Sequence, residues 1–286
     1  MLPTEDRLAT RTPDLARFQY RGALQSRGKR FDLAHFDPAA KPFSSDDKAR
    51  DKARVEALAQ DLNPLQDMFY ADRRFKLLIV LQGTDTSGKD GTIRGVFKEM
   101  SALGVHAVAW KAPNEEERAH DYLWRIHYRM PANGEIVLFN RSHYEDVLVP
   151  PVTKLITPQE TKQRYAQIND FERMLSENGT VILKFMLHIS KEEQRKRLQE
   201  RLDDPNKRWK FAGGDIETRK QWNDYQKAYS AAIAATGTPW APWTIVPADS
   251  KTHRNLMVAM VVKRAMKDLK LRYPPTNPLL ANIKIE

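Results

Sequence analysis

The 286-residue chain contains no cysteine. Disulfides and thiolate-bound metals are therefore excluded, and the absence accords with a cytoplasmic setting. No apolar run approaches the roughly 20 residues that span a bilayer, so no membrane segment is expected. The opening stretch MLPTEDRLATRTPDLARFQYRG carries acids and lacks an apolar centre, unlike a secretory signal. There is no internal repeat and no low-complexity segment. What is present is a 41% apolar composition, enough for a globular core, and a net charge of +10. A surplus of that size points to a polyanionic partner: nucleic acid, a long phosphate chain or an anionic membrane.

Residues 1–45 carry Pro3, Pro13, Pro38 and Pro42 with little periodicity and read as an extended arm. Residues 46–286 read as one domain. Its first helix should be capped by Ser44 or Ser45, with Val55, Leu58, Leu62 and Leu65 on its apolar face. Short apolar runs at LLIVLQ (77–82), VHAVAW (105–110), EIVLFN (135–140), TVILKFMLHI (180–189) and WTIVPA (243–248) predict strands. Capping boxes are expected at Thr157 with Glu160 and at Ser190 with Glu193, and an N-cap at Asn114. A last helix should cover about 251–271. Strand and helix alternate about five times, which predicts an α/β fold with a central parallel sheet flanked by helices.

The chemistry concentrates in three places. Gly83-Thr84-Asp85-Thr86-Ser87-Gly88-Lys89 follows the first strand and opens a helix, the context of a phosphate-cradling loop. Gly83 and Gly88 allow amides to turn inward, and Lys89, expected to be exposed, adds a point charge. The usual magnesium-binding hydroxyl after the lysine is replaced by Asp90. Asp85 lies inside the loop, where a carboxylate is tolerable if Mg²⁺ sits between it and the phosphates. The metal ligand is thus expected to have moved to the middle of the loop.

The second place is FNRSHYEDV (139–147). Asn140 ends the strand and Arg141 can clamp phosphate bidentately. Glu145 and Asp146 follow, diverging by about 100° on a helix, which suits different jobs in binding metal or orienting the acceptor. His143 is expected to pack. The third is RKRLQERLDDPNKRWKF (195–211). From Arg195 to Lys210 it holds seven basic and three acidic residues. Arg197 and Arg201 share a helix face, Asp204-Pro205-Asn206 breaks the helix, and Lys207, Arg208 and Lys210 follow. Such a segment, about 195–215, suits a lid over transferring phosphates.

Taken together, GTDTSGKD, FNRSHYEDV and ERLDDPNKRWKF, with FDLAHFDP (31–38) and DYLWRIHYRMP (121–131), resemble the polyphosphate kinase 2 family from about Arg30 onward. SHYED with Glu145 looks like the class acting on both AMP and ADP. The resemblance implies a thymidylate-kinase-like phosphate-loop kinase fold with a helical lid. It implies Mg²⁺-dependent phosphoryl transfer, with Mn²⁺ as a substitute, between inorganic polyphosphate and AMP, ADP or ATP, and with guanine nucleotides as further acceptors. Homo-oligomers, dimers or tetramers, are implied, without nucleic acid or membrane as partners.

Carried over by motif, Asp85, Lys89, Arg141, Glu145 and Asp146 form the centre, with Asp85 and Asp146 on the metal. Gly83, Thr86, Ser87, Gly88, Lys89, Asp90 and Arg141 would bind phosphate with the lid's Arg201, Lys207, Arg208 and Lys210. Two rivals are an ATP-dependent nucleoside monophosphate kinase and a nucleic-acid-binding phosphate-loop protein. The second would need a basic stripe with exposed aromatics or a known module, and neither is found.

Overall fold

The apolar run ahead of the glycine loop, β2 (Lys76–Gln82), lies inside a six-stranded sheet in a computed structural model describing residues 14–22, 31–211, 213–278, 283 and 285. The other strands are β1 (Gln19–Tyr20), β3 (Val105–Ala109), β4 (Ile136–Asn140), β5 (Thr180–His188) and β6 (Trp243–Pro247). Their order is β1-β6-β5-β2-β4-β3. Five strands are parallel, as the all-apolar runs predict; β1 adds antiparallel to the β6 edge, pairing Gln19 with Thr244. Of the arm expected over residues 1–45, residues 1–13 and 23–30 lie outside the described residues, as does Ala212 of the lid segment.

Alternate residues of β2 face opposite layers. Leu77, Ile79 and Leu81 join one core with α1 (Lys48–Asp72), α2 (Lys89–Val96) and α10 (Lys251–Asp268). Leu78 and Val80 join the other with α5 (Glu145–Val152), α6 (Pro158–Glu177) and α9 (Trp222–Thr236). All five side chains are fully buried. Truncating Leu81 to alanine at such a site would cost about 2–5 kcal/mol. The short helices α3 (Glu115–Ala119), α4 (Trp124–His127) and α8 (Gly214–Lys220), and the longer α7 (Lys191–Asp203), complete the chain.

Local signals set the helix starts. Thr157 and Asn114 each form both halves of a capping box, with Glu160 and Glu117. Two expectations are corrected. Asp47, not Ser44 or Ser45, caps α1, accepting from the amides of Ala49 and Arg50. Both serines instead bond the buried Asp51 carboxylate. Ser190 accepts from the Glu193 amide at 3.0 Å, but Glu193 turns its carboxylate to Arg197 at 2.7 Å, so the reciprocal half of that box is missing.

One polar network crosses the second core. Lys184 of β5, fully buried, donates to Glu172 at 2.6 Å, to the Tyr144 hydroxyl at 2.7 Å and to the Thr236 carbonyl at 2.8 Å. Tyr144 donates in turn to Glu172 at 2.7 Å, and His143 lies 3.4 Å from the same carboxylate. His143 is thus buried packing, as its sequence context suggests. All three ammonium protons are used, which is what a cation in this setting requires.

Candidate active site

The loop between β2 and α2 lies at the carboxyl ends of the parallel strands, where open α/β sheets bind ligands. Its backbone takes left-handed angles at Thr86 (φ 64°) and Gly88 (φ 100°). The Ser87 amide closes the turn on the Thr84 carbonyl at 3.1 Å. Lys89 opens α2, and here one expectation fails: it is buried, 8% exposed, not a free loop lysine. Its ammonium donates to the Gly83 and Thr84 carbonyls at 2.8 and 3.2 Å. Burial, then the neighbouring Arg141, push its pKa down to about 8.

The end of β4 meets this loop. Arg141 (φ 66°) donates from Nη2 to the Asp85 carboxylate at 2.9 Å and lies 3.8 Å from Glu145. Glu145 also accepts a short hydrogen bond from Gln82, the last residue of β2. Asp90, in place of the expected hydroxyl, accepts from Asn140 at 2.5 Å and from Lys210 of the lid segment at 3.4 Å. Burial alone would raise the Asp90 carboxyl; those two donors bring it below the ordinary range instead. Asp90 therefore joins the loop, β4 and the segment around Lys210.

Glu145 and Asp146 do diverge. Asp146 points into a drier setting, and burial raises its carboxyl despite Arg125 and Arg164 nearby. Its Oδ2 is buried with no hydrogen-bond partner among the described residues. The Arg164 guanidinium donates to the Asp146 backbone carbonyl, at 2.9 Å, and not to its carboxylate.

A cavity of about 660 Å³ opens over the loop. Asp85, Thr86, Gly88, Lys89, Asp90, Arg141, Arg201, Lys207 and Lys210 line it, with Trp110, Lys111, Arg197, Glu200 and Lys251. Eight cationic side chains against three carboxylates suit a polyanion rather than a neutral ligand. Of the residues expected at the site, Gly83, Ser87, Glu145, Asp146 and Arg208 do not line this cavity. Gly83 and Ser87 form the loop beneath it, and Glu145 stands behind Arg141. Arg208 turns away, its Nε donating to the Leu202 carbonyl at 2.6 Å. A larger cavity, about 750 Å³ among Phe31, His35, Trp222 and Ala234, has only Lys191 and Lys227 as cations and no phosphate loop, so chemistry and not size picks the site.

Sequence reasoning missed Gln82, Lys251 and the two buried arginines under the loop. The sequence places Arg197 on the lid's basic helix face; the residue is 5% exposed and donates to the Thr86 and Ser87 carbonyls at 2.9 and 3.3 Å. Arg254 of α10 donates to the Ser87 carbonyl at 3.3 Å. Nothing in the local spacing of Ser250-Lys251-Thr252-His253-Arg254 points at a loop more than 160 residues away.

Comparison with known proteins gives a consistent answer. The family profile described as polyphosphate kinase 2 matches residues 45–274. An AMP/ADP-polyphosphate phosphotransferase from Meiothermus ruber is 48% identical over 260 residues, covering 90% of this chain and 96% of the relative. An ADP-polyphosphate phosphotransferase from Rhodopseudomonas palustris is 37% identical, covering 88% and 91%. The crystal structure of polyphosphate kinase 2 from Arthrobacter aurescens TC1 superposes with a TM-score of 0.87 at 41% identity, covering 93% of both chains. With its phosphate loop, its cationic cavity and these matches along most of its length, the chain belongs to the polyphosphate kinase 2 family.

Proposed function

We propose that the protein transfers phosphoryl groups between inorganic polyphosphate and nucleoside mono- and diphosphates, AMP to ADP and ADP to ATP, reversibly. The observation that carries this reading is the convergence of eight cations on a phosphate loop in one cavity. The names of the relatives support the substrate class.

In the forward step a terminal oxygen of the acceptor phosphate attacks the terminal phosphorus of the chain. The bridging P–O bond breaks, and the shortened polyphosphate leaves with the electron pair. The attacking oxygen is already ionised, so no base is required. Positioning and charge supply most of the acceleration. Lys89 and the loop amides hold the donor end, and Arg141, fixed by Asp85, bridges donor and acceptor. Glu145 sits on the acceptor side of Arg141, and the cationic lid encloses the chain.

The carboxylates suit a hard divalent cation. Asp85 lies within the loop, and Asp146 keeps a buried oxygen without a partner among the described residues. Among the described residues no three metal-binding side chains cluster, so phosphate and water oxygens would complete the shell, as Mg²⁺ prefers. When bound, Mg²⁺ or Mn²⁺ would neutralise charge on the transferring group.

The test is incubation with polyphosphate, Mg²⁺ and AMP, ADP, GMP or GDP, followed by separation of products. Phosphorylation of AMP and ADP from polyphosphate supports the reading. Transfer from ATP to AMP with no use of polyphosphate would favour a nucleoside monophosphate kinase, and DNA retardation without transfer a nucleic-acid binder. Assembly as a dimer or tetramer belongs to the same reading and is checked by sedimentation velocity.

A further inference from the structure

The glycines at the start of α2 leave room for a side chain from the far end of the sequence. A Cβ on Gly88 would fall 1.8 Å from Nη1 of Arg254, and one on Gly91 3.1 Å from Nη2. Arg254 is 3% exposed. Its guanidinium lies under the phosphate loop, donating to the Ser87 carbonyl and to Oδ1 of Asn255 at 3.1 and 2.9 Å. Arg197 meets the same carbonyl from α7 and is tied to the Ala248 and Asp249 carbonyls at 2.7 Å each. Arg197 has Glu193 as a counter-charge, whereas no carboxylate among the described residues lies against Arg254. Burial, then Arg197, push the Arg254 pKa down to about 9, which leaves it cationic at neutral pH.

In a trans peptide the carbonyl and the following N–H point in opposite directions. Holding the Ser87 carbonyl from below therefore turns the Gly88 N–H away from the arginines. Gly88 lines the cavity, so that amide is aimed at bound phosphate. The preceding amide, of Ser87, is occupied by Thr84 and cannot serve. A buried cation without a carboxylate also leaves positive potential beneath the loop, little damped by water.

We infer that Arg254 is a positioning residue for phosphoryl transfer, setting the phosphate-facing amide of Gly88 from behind through the space that Gly88 and Gly91 leave open. The inference rests on the function proposed above. It gives Gly88 a second reason to lack a side chain, besides its left-handed backbone, and gives Gly91, inside α2, a reason of its own.

The test compares wild type with Arg254→Met, Arg254→Lys, Gly91→Ala and the double variant Arg254→Met/Gly91→Ala. Each is assayed for kcat and KM and titrated calorimetrically with tripolyphosphate. Methionine replaces a buried unpaired charge with apolar bulk, so the fold should survive. Arg254→Met should lower kcat by about tenfold or more, a fraction of what a lost direct donor costs, and weaken tripolyphosphate, with nucleotide KM within about twofold. Arg254→Lys should recover part of both losses. Gly91→Ala, which favours the helix but crowds Nη2, should lower kcat alone and raise the melting temperature once Arg254 is methionine.

A folded Arg254→Met with kcat and tripolyphosphate affinity within about twofold of wild type would overturn the inference. If that variant does not fold, full kcat in Gly91→Ala together with full kcat in Arg254→Lys would overturn it. A wild type that transfers nothing would instead remove the proposed function, and tripolyphosphate affinity would still decide on Arg254.

Discussion

Arg141 Nη2 and the Asp85 carboxylate stand 2.9 Å apart, and this ion pair ties the end of β4 to the middle of the phosphate loop. Neither residue is fixed by its own element alone. We predict that Asp85→Asn will raise the Mg²⁺ midpoint and lower the maximal rate, because an amide oxygen is a poorer ligand for a hard cation and a weaker partner for guanidinium. A Mg²⁺ titration of the rate checks both effects; an unchanged midpoint and rate would remove Asp85 from the metal.

Asp146 offers a prediction with a pH sign. Its folded pKa is raised by burial. The neutral form is therefore favoured in the fold, and stability present below the unfolded pKa is lost as pH rises through the folded value. Asp146→Asn should flatten that decline and melt higher than wild type at pH 7 without metal. It should also lose the stabilisation that Mg²⁺ with tripolyphosphate gives the wild type. Melting curves from pH 4 to 8, with and without both ligands, decide it; equal responses to the ligands would free Asp146 from any metal role.

Lys89→Ala should lower transfer by roughly a hundred- to thousandfold, the cost of one preorganised electrostatic contact. Its pKa near 8 adds a second expectation. kcat/KM should fall as pH passes through about 8, while a bound polyanion should hold the proton and move the same limb of kcat upward. Because the folded pKa lies below the unfolded value, the ammonium is disfavoured by the fold at neutral pH. Lys89→Met should thus be no less stable than wild type at pH 7. Near-normal turnover in a folded variant would sink the phosphate-loop assignment.

Glu145→Asn should harm AMP phosphorylation more than ADP phosphorylation. Glu145 is held by Gln82 and faces Arg141 at 3.8 Å. AMP brings one phosphate fewer than ADP, so its placement leans more on such acceptor-side contacts. Steady-state kinetics with each acceptor would show the difference; equal losses would leave Glu145 a purely structural or metal role.

Neutralising Lys207, Arg208 and Lys210 together should raise KM for long polyphosphate and make it less sensitive to salt than in wild type. Lys207 and Lys210 line the cavity, whereas Arg208 bonds the Leu202 carbonyl, so restoring Arg208 alone should recover less than restoring either lysine. Melting temperature should barely move, since exposed charges contribute little. KM measured at two ionic strengths with long and short chains checks this, and a salt response matching wild type would place the donor channel elsewhere.

Much of this architecture is legible in the chain itself. LLIVL is apolar on both faces because both faces are covered, TVILKFMLHI is nearly so apart from the buried Lys184, and Thr157 and Asn114 carry their caps in local spacing. GTDTSGKD announces its loop because the chemistry is contiguous. What is hidden depends on how side chains fold back, some onto near neighbours and some onto distant elements. Lys89 looks like a loop lysine until carbonyls of its own loop enclose it. Arg197 looks like one charge of a basic helix, and only the packing of α7 against the loop shows it buried. Two residues at Gln19–Tyr20 carry too little pattern to announce a strand, and β6 supplies the edge that makes them one. Asp47 displaced the expected serine caps because Asp51 claimed both hydroxyls.

The Lys184–Glu172–Tyr144 network bears on how this protein can be altered. Tyr144 sits beside Glu145, yet its hydroxyl belongs to a set whose other members lie on α6 and β5. Losing Lys184 or Glu172 strands a charge in the core, at about 3–5 kcal/mol, and losing the Tyr144 hydroxyl removes a hydrogen bond from each, whereas exchanging the whole set for apolar residues can be neutral. The three positions should therefore drift as a unit among relatives, each conditional on the others. Grafting a different sequence over residues 142–146 would fail in a host whose positions 172 and 184 do not travel with it.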